Sequence, residues 1–390
     1  MKSERSARLS VAPSPDRGEH YEAAIDFIEK TRLADPLTQA EMARQKLSVT
    51  LDQRRRSMLG QFFTPPATAR FMASLSTNLG QRVRLLDAGA GVGALTAAWT
   101  AEICSRSVRP KEVILTAYEL DTPLLPALRQ TLTACERACA TAGITCRWEV
   151  YATDFIEAAV TALDVGLFQT EPAVFDVAIV NPPYKKFHAE SRMRQLLRRL
   201  NIETSNLYTA FLSLVMLLLN DGGELIAITP RSFCNGPYFR PFRQHLLQHV
   251  NLTQVHVFEA RDHAFRDDEV LQENVILRAV KGTSQQPVVK ISWSRTPDDP
   301  ITVERNVPFE RVVRPDDSQV FIHLVPDGEG HALAEVMEIL PCTLDELRLS
   351  VSTGRVVDFR ARPWLRAQPT VDTVPLIYPT HFNNGVVRIA

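Results

Sequence analysis

The chain has 390 residues, 45% of them hydrophobic, and a formal net charge of -1. That is enough apolar material for one large core and a second, smaller unit. The near-neutral balance excludes a uniformly cationic surface, so a nucleic-acid partner would have to be held by local basic patches. None of the six cysteines sits in a CxxC pair or at zinc spacing with histidine, so no metal is expected, and reduced thiols fit a cytoplasmic protein. The polar start MKSERSARLS lacks the apolar stretch of a secretory signal. Leu207–Leu219, the most apolar run, is too short to span a bilayer and reads as a buried helix, so no membrane is expected.

Apolar residues at three- and four-residue spacing predict helices over Tyr21–Leu33 and Thr38–Met58, broken at Asp35-Pro36. Residues 1–59 are therefore expected to be a helical N-terminal extension. Its basic run Arg54-Arg55-Arg56 fits a solvated helix face as well as it fits DNA contact.

From Gly60 the rhythm becomes alternating strands and helices. Strands are predicted at Arg84–Leu86, Val113–Tyr118, Arg147–Tyr151, Phe175–Val180, Glu224–Thr229, Leu252–Phe258 and Asn274–Val280. Helices are predicted at Ala94–Ser105, Leu124–Ala142, Phe155–Leu163 and Leu207–Leu219. This order predicts an α/β fold, a mostly parallel sheet with helices on both faces, whose last two strands form an antiparallel edge. The catalytic domain should run over 60–295. Prolines and acidic pairs then accumulate, which predicts a boundary near Pro297–Pro315, one helix at His331–Leu340, and a region over 296–390 with a role of its own.

Four strand ends carry residues suited to chemistry. The first is Leu85-Leu86-Asp87-Ala88-Gly89-Ala90-Gly91-Val92-Gly93, an apolar strand running into a glycine-rich turn and then a helix. Glycine lets a ligand approach the backbone closely, and ligands of open parallel sheets bind at strand carboxyl ends. Here the acid precedes the glycines, unlike the dinucleotide pattern GxGxxG. Asp87 can pair with a cationic amino group, such as that of S-adenosylmethionine; a bare structural turn is the rival reading.

Glu119 ends the second strand, where a carboxylate can accept both ribose hydroxyls of a nucleoside, with Leu120 packing on the adenine ring. Asp121 is a rival but suits a helix N-cap better. Asp154 and Phe155 end the third strand, placed to accept from an adenine amino group and to pack on its face.

The fourth strand runs into Asn181-Pro182-Pro183-Tyr184. Two prolines fix successive φ angles and stop the ladder, giving a stiff turn. The Asn181 side-chain oxygen and the Pro182 carbonyl can accept both hydrogens of one amino group. That draws a planar nitrogen toward a nucleophilic geometry without a separate strong base. Tyr184 offers a flat face to an aromatic target. A base inside a duplex must be flipped out to reach such a turn. Lys185, Lys186, Arg192 and Arg194 follow and are candidates for backbone phosphates, although a solvated helix face fits the arginines equally well.

The order Phe63-Thr64-Pro65-Pro66, the Asp87–Gly93 loop, Glu119, Asp154-Phe155 and Asn181–Tyr184 resembles the gamma class of amino methyltransferases acting on adenine in DNA, the TaqI-type enzymes. The likeness covers about Gly60 to Val280. Ser352–Arg360 and Ile377–Phe382 look like the modification methylases of PstI/BsuBI-type restriction systems. The resemblance implies an S-adenosylmethionine-dependent methyltransferase with a Rossmann-like sheet, double-stranded DNA as partner through base flipping, and a cognate restriction endonuclease in the same system. By position it implies that Thr64 touches the methionine part of the cofactor, with Asp87, Ala88, Gly89 and Gly91 beside it. Glu119 would hold the ribose, Asp154 and Phe155 the adenine, and Asn181, Pro182 and Tyr184 the target base. It also implies an aromatic on the far face of that base, for which Phe265 is the candidate and Phe258 and Phe233 are rivals.

A target-recognition region should follow the catalytic domain. Relatives of this type continue past the strand-like Val386–Ala390, so the expectation for 296–390 is a partial recognition domain. Three other readings share these motifs: a glutamine-amide methyltransferase of release factors, an RNA methyltransferase, and a catalytically idle DNA-binding specificity partner. The Phe63–Pro66 element and the C-terminal extension favour DNA over the first, and the intact Asn181–Tyr184 turn opposes the last.

Overall fold

The computed structural model describes residues 35–50, 63–77, 80–164, 174–188, 190–258, 273–282, 284–297 and 299–324. Towards the C-terminus it describes 336–337, 339–342, 344, 346–350, 356, 361–383 and 386–387. The predicted helix Tyr21–Leu33, the run Arg54–Arg56 and Phe265 lie outside these residues, as does most of His331–Leu340. The chain divides into two compact units, Met1–Pro326 and Asp327–Ala390.

The first unit is built on a nine-stranded sheet. Its strands are β1 (Arg82–Ala88), β2 (Glu112–Tyr118), β3 (Thr145–Tyr151), β4 (Phe175–Val180), β5 (Leu219–Pro230), β6 (Val250–Phe258), β7 (Asn274–Lys281), β8 (Val288–Ser294) and β9 (Val303–Pro308). They lie in the order β3-β2-β1-β4-β5-β7-β6-β8-β9. β1 to β5 are mutually parallel, whereas β7 runs antiparallel to both β5 and β6. All seven predicted strands form. The expected antiparallel pairing of the last two occurs, but not at an edge, because β8 and β9 continue the sheet beyond β6. Pro287, Pro300 and Pro308 obscure these two strands in the sequence. They fall between strands or at a strand end, where a missing donor costs little.

Two helical layers cover the sheet. On one side lie α1 (Pro36–Thr50), α2 (Pro66–Ser74), α3 (Ala94–Ser105) and α4 (Leu125–Thr141). On the other lie α5 (Phe155–Leu163), α6 (Arg192–Arg198), α7 (Leu207–Leu218) and α8 (Arg240–His249). The Asp35-Pro36 pair starts α1 rather than merely separating two helices. Asp35 Oδ2 accepts from the Thr38 amide at 3.1 Å, and Pro36 occupies a first turn that needs no donor.

Strand alternation assigns each side chain to a layer. Val83 and Leu85 of β1 pack with the α1–α4 layer, while Leu86 and Ala88 pack with the other. Among the described residues no helix is long and apolar enough to cross a membrane. The C-terminal unit contains single 3-10 turns at Arg362–Trp364 and Pro379–His381 and a short antiparallel pair, β10 (Phe382–Asn383) with β11 (Val386–Val387).

Candidate active site

The carboxyl ends of β1 to β4 open onto one cavity of about 220 Å³. The glycine loop after β1 forms its floor. Gly89, Gly91 and Gly93 have φ of 79°, 59° and 83°, a region in which L side chains are strained. The Gly89 and Ala90 amides both donate to the Tyr118 carbonyl at 2.9 Å, which anchors the loop to the end of β2.

Glu119 completes that anchor. Its Oε2 accepts from the Gly91 amide at 2.7 Å and its Oε1 from the Asp121 amide at 2.6 Å. Glu119 lines the cavity although it is only 4% exposed, and burial raises its pKa above the ordinary value against these backbone bonds. Leu120 is half exposed on the cavity wall.

Asp154 and Phe155 also line the cavity. Asp154 Oδ1 caps α5 by accepting from the Ile156 and Glu157 amides at 2.8 and 3.1 Å. Phe155 packs between Tyr118 and Phe211, with ring centroids 5.3 and 5.0 Å away. Asn181 and Pro183 bring the fourth strand end to the same wall. Gly89, Gly91, Glu119, Leu120, Asp154, Phe155, Asn181 and Pro183 therefore converge.

Asp87, Ala88 and Thr64 do not line this cavity. Asp87 shares the strand face of Val83 and Leu85, so its side chain enters the α3 side, where Oδ2 accepts from Thr96 Oγ1 at 2.7 Å. Burial pushes its carboxyl up to about 7; hydrogen bonds from Thr96 oppose the shift and Glu119 adds to it. Thr64, 6% exposed, accepts from the Asn181 amide nitrogen at 3.0 Å.

The Asn181–Tyr184 turn borders a second cavity, of about 320 Å³. Tyr184 lines it together with Lys185, Lys186, Asn206, Tyr208 and Tyr238. The Tyr184 hydroxyl donates to the Ile228 carbonyl of β5 at 3.2 Å, which fixes the ring. Pro182 is buried and lines neither cavity.

Of the basic candidates, Lys185 and Lys186 are exposed on this cavity. Arg192 and Arg194 are not on it. Arg192 pairs with Glu157 at 3.2 Å and Arg194 with Glu203 at 3.3 Å, so acids on neighbouring segments share their charge. Phe258 and Phe233 are core residues, each 3% exposed, and neither lines either cavity.

Sequence reading missed Phe63 and Phe211 in the first cavity and Asn206 and Tyr238 in the second. Asn206 stands one residue before the predicted start of an apolar helix, which was a usable signal. Tyr238 carries no local signal, because a 3-10 turn after β5 brings it there.

Among the described residues, no three His, Cys, Asp or Glu side chains gather as a metal site. The parallel strands in the order β3-β2-β1-β4-β5, the antiparallel β7, and the loop after β1 define the fold of class I S-adenosylmethionine-dependent methyltransferases. The type IIG restriction endonuclease BpuSI shares that fold, with a TM-score of 0.51 at 19% identity over 66% of this chain and 32% of that one.

Residues 144–265 match the family described as Eco57I restriction-modification methylase. The chain is 46% identical over 344 residues to the Type II methyltransferase M.BsuBI of Bacillus subtilis, covering 87% of this chain and 66% of that protein. It is 40% identical over 338 residues to the Type II methyltransferase M.PstI of Providencia stuartii, with the same 87% and 66% coverage. Residues 144–265 thus carry an Eco57I restriction-modification methylase domain, and the chain is similar over most of its length to these two Type II methyltransferases. It spans about two thirds of the length of these two relatives.

Proposed function

We propose that this chain moves a methyl group from S-adenosylmethionine to the exocyclic amino group of an adenine flipped out of double-stranded DNA. It would be the modification arm of a restriction-modification system that also contains a cognate endonuclease. One observation carries the reading: the Asn181–Tyr184 turn stands between two cavities, with Asn181 and Pro183 on the first and Tyr184 on the second. A donor and an acceptor seated in the two would meet at this turn.

The residues of the first cavity fit the cofactor. Behind the glycine loop and outside the cavity lining, Asp87 Oδ1 is buried and has no hydrogen-bond partner among the described residues, so its carboxylate favours a cationic group in the cavity through charge. A Cβ added at Gly89 would stand 3.6 Å from Phe211, and one at Gly91 3.7 Å from Phe63; both rings line the cavity, so the bare backbone keeps that space open. Glu119 keeps further lone pairs for ribose hydroxyls, Asp154 and Phe155 flank the adenine, and Leu120 covers it. When bound, S-adenosylmethionine supplies an electrophilic methyl on a sulfonium.

At the turn itself, Asn181 Oδ1 and the Pro182 carbonyl accept the two hydrogens of the target amino group and localise its lone pair. Tyr184 stacks on the base, which typically contributes about 1–3 kcal/mol and offsets a flipping cost of a few kcal/mol. Lys185 and Lys186 hold phosphates beside the opening. The part of the chain beyond the sheet-bearing unit, Asp327–Ala390, contributes to target recognition.

The names and identities of the two Type II relatives support DNA over the other acceptors with similar motifs. The test is transfer of a labelled methyl group to unmethylated DNA, RNA and a release factor. Label in DNA alone is expected; label in RNA or the release factor and none in DNA contradicts the reading.

A further inference from the structure

Asn206 occupies the N-cap of α7, yet its side chain makes no capping hydrogen bond. Asparagine is favoured at that position because its oxygen normally accepts from the first-turn amides. Here the amide is turned elsewhere. Asn206 is only 6% exposed and lines the cavity shared with Tyr184. Its one side-chain bond among the described residues is a long contact, from Nδ2 to the neighbouring Ser205 Oγ at 3.4 Å. That leaves its carbonyl oxygen and one N–H without a hydrogen-bond partner among the described residues, on a residue that lines the cavity.

The position is fixed from below. The chain leaving the Asn181–Tyr184 turn is pinned beside it by a bridge between Lys186 and Asn206, by the Leu207 amide on the Lys185 carbonyl at 2.8 Å, and by the Phe187 amide on the Ser205 carbonyl at 3.0 Å. Asn206 is therefore held in register with the residues that follow Tyr184.

We infer that Asn206 is a specificity-determining residue, which donates its free Nδ2–H to a ring nitrogen of the flipped adenine. This rests on the proposed function. Once both amino hydrogens are given to Asn181 and Pro182, the ring nitrogens along the rest of a neutral adenine's edges are acceptors only. Only the N–H half of the Asn206 amide matches them. Guanine and thymine each carry a ring N–H on the Watson–Crick edge and would oppose that donor.

The experiment compares full-length wild type, Asn206→Asp, Asn206→Ser and Asn206→Ala. It measures kcat/KM for methyl transfer to unmethylated genomic DNA, S-adenosylmethionine affinity by calorimetry, and the thermal midpoint. Aspartate matches asparagine in size and shape but, ionised, has no N–H to give. A purely structural role therefore predicts an unaffected Asn206→Asp enzyme. Base reading predicts that Asn206→Asp and Asn206→Ala each lose roughly tenfold or more in kcat/KM, with unchanged cofactor affinity and an Asn206→Asp midpoint near that of wild type. Asn206→Asp activity equal to wild type overturns the inference and leaves the proposed function standing. A wild type that puts no label into DNA overturns both.

Discussion

The Asn181 side-chain amide donates to Thr64 Oγ1 at 3.0 Å, joining the end of β4 to the segment before α2 across 117 positions of sequence. An asparagine amide can turn over, exchanging its donor and acceptor. In this orientation Nδ2, not Oδ1, faces the Thr64 hydroxyl. The family likeness assigns Thr64 to the cofactor, whereas the geometry makes it a positioning residue for Asn181. Thr64→Val should lower kcat roughly ten- to a hundredfold, the usual cost of misplacing a reacting group, and leave S-adenosylmethionine affinity within about twofold. Thr64→Ser should restore most of the rate. Weakened cofactor binding with kcat intact would return Thr64 to the cofactor.

Asp87 gives a signed pH dependence. Burial raises its folded-state pKa from 3.8 to about 7, so the folded chain holds this proton more tightly than the unfolded chain does. The stability that follows is fully present below about pH 4 and is lost as pH rises through about 7. Between pH 5 and 8 the thermal midpoint of wild type should therefore fall relative to Asp87→Asn, which keeps an acceptor for Thr96 and has no charge to bury. Added S-adenosylmethionine should narrow the difference, because its ammonium favours the carboxylate. A constant gap across this range would contradict the assignment.

Two glycines should separate folding from binding. A Cβ at Gly93 would lie 3.0 Å from Leu128 and 3.1 Å from Thr131 in the packed α4 interface, on a backbone with φ of 83°. One at Gly91 would meet only the Phe63 ring, at 3.7 Å, beside the cavity. The left-handed backbone costs alanine roughly 1–2 kcal/mol at either position. Gly93→Ala should add a packing penalty and unfold in less denaturant than Gly91→Ala. Gly91→Ala should show the larger relative loss of S-adenosylmethionine affinity.

DNA contact should divide the basic residues. Lys186 is exposed on the second cavity, whereas Arg194, 24% exposed, shares Glu203 with Arg198. Lys186→Ala should weaken DNA binding and reduce the slope of log affinity against log salt by about one. Arg194→Ala should leave the slope unchanged. Equal reductions in both would mean that the Glu203 pair opens on binding.

The fold was largely legible because its strands are apolar runs bounded by clear turns. Phe175–Val180, Ala94–Ser105 and Phe155–Leu163 were read to the residue. β8 and β9 were not, since the prolines around them look like a linker until the neighbouring strand is known. That Glu119, Asp154 and Asn181 meet at one cavity was legible because strand carboxyl ends share one edge of a parallel sheet. Asp87 lies off the cavity lining for a reason also present in the sequence: it stands two residues after Leu85 and so faces the same helical layer. Asn206 and Tyr238 belong to the second cavity through contacts between segments distant in the chain, which no local pattern encodes.

The central claim is methyl transfer to adenine at the Asn181–Tyr184 turn. Unmethylated DNA incubated with S-adenosylmethionine and either wild type or Asn181→Ala, digested to nucleosides and analysed by mass spectrometry, tests it most directly. The account predicts N6-methyladenine with wild type and a loss of roughly a hundredfold or more in its rate of formation with Asn181→Ala, while calorimetry shows the cofactor still bound. Methylated cytosine in place of methylated adenine, or equal N6-methyladenine from both proteins, would contradict it.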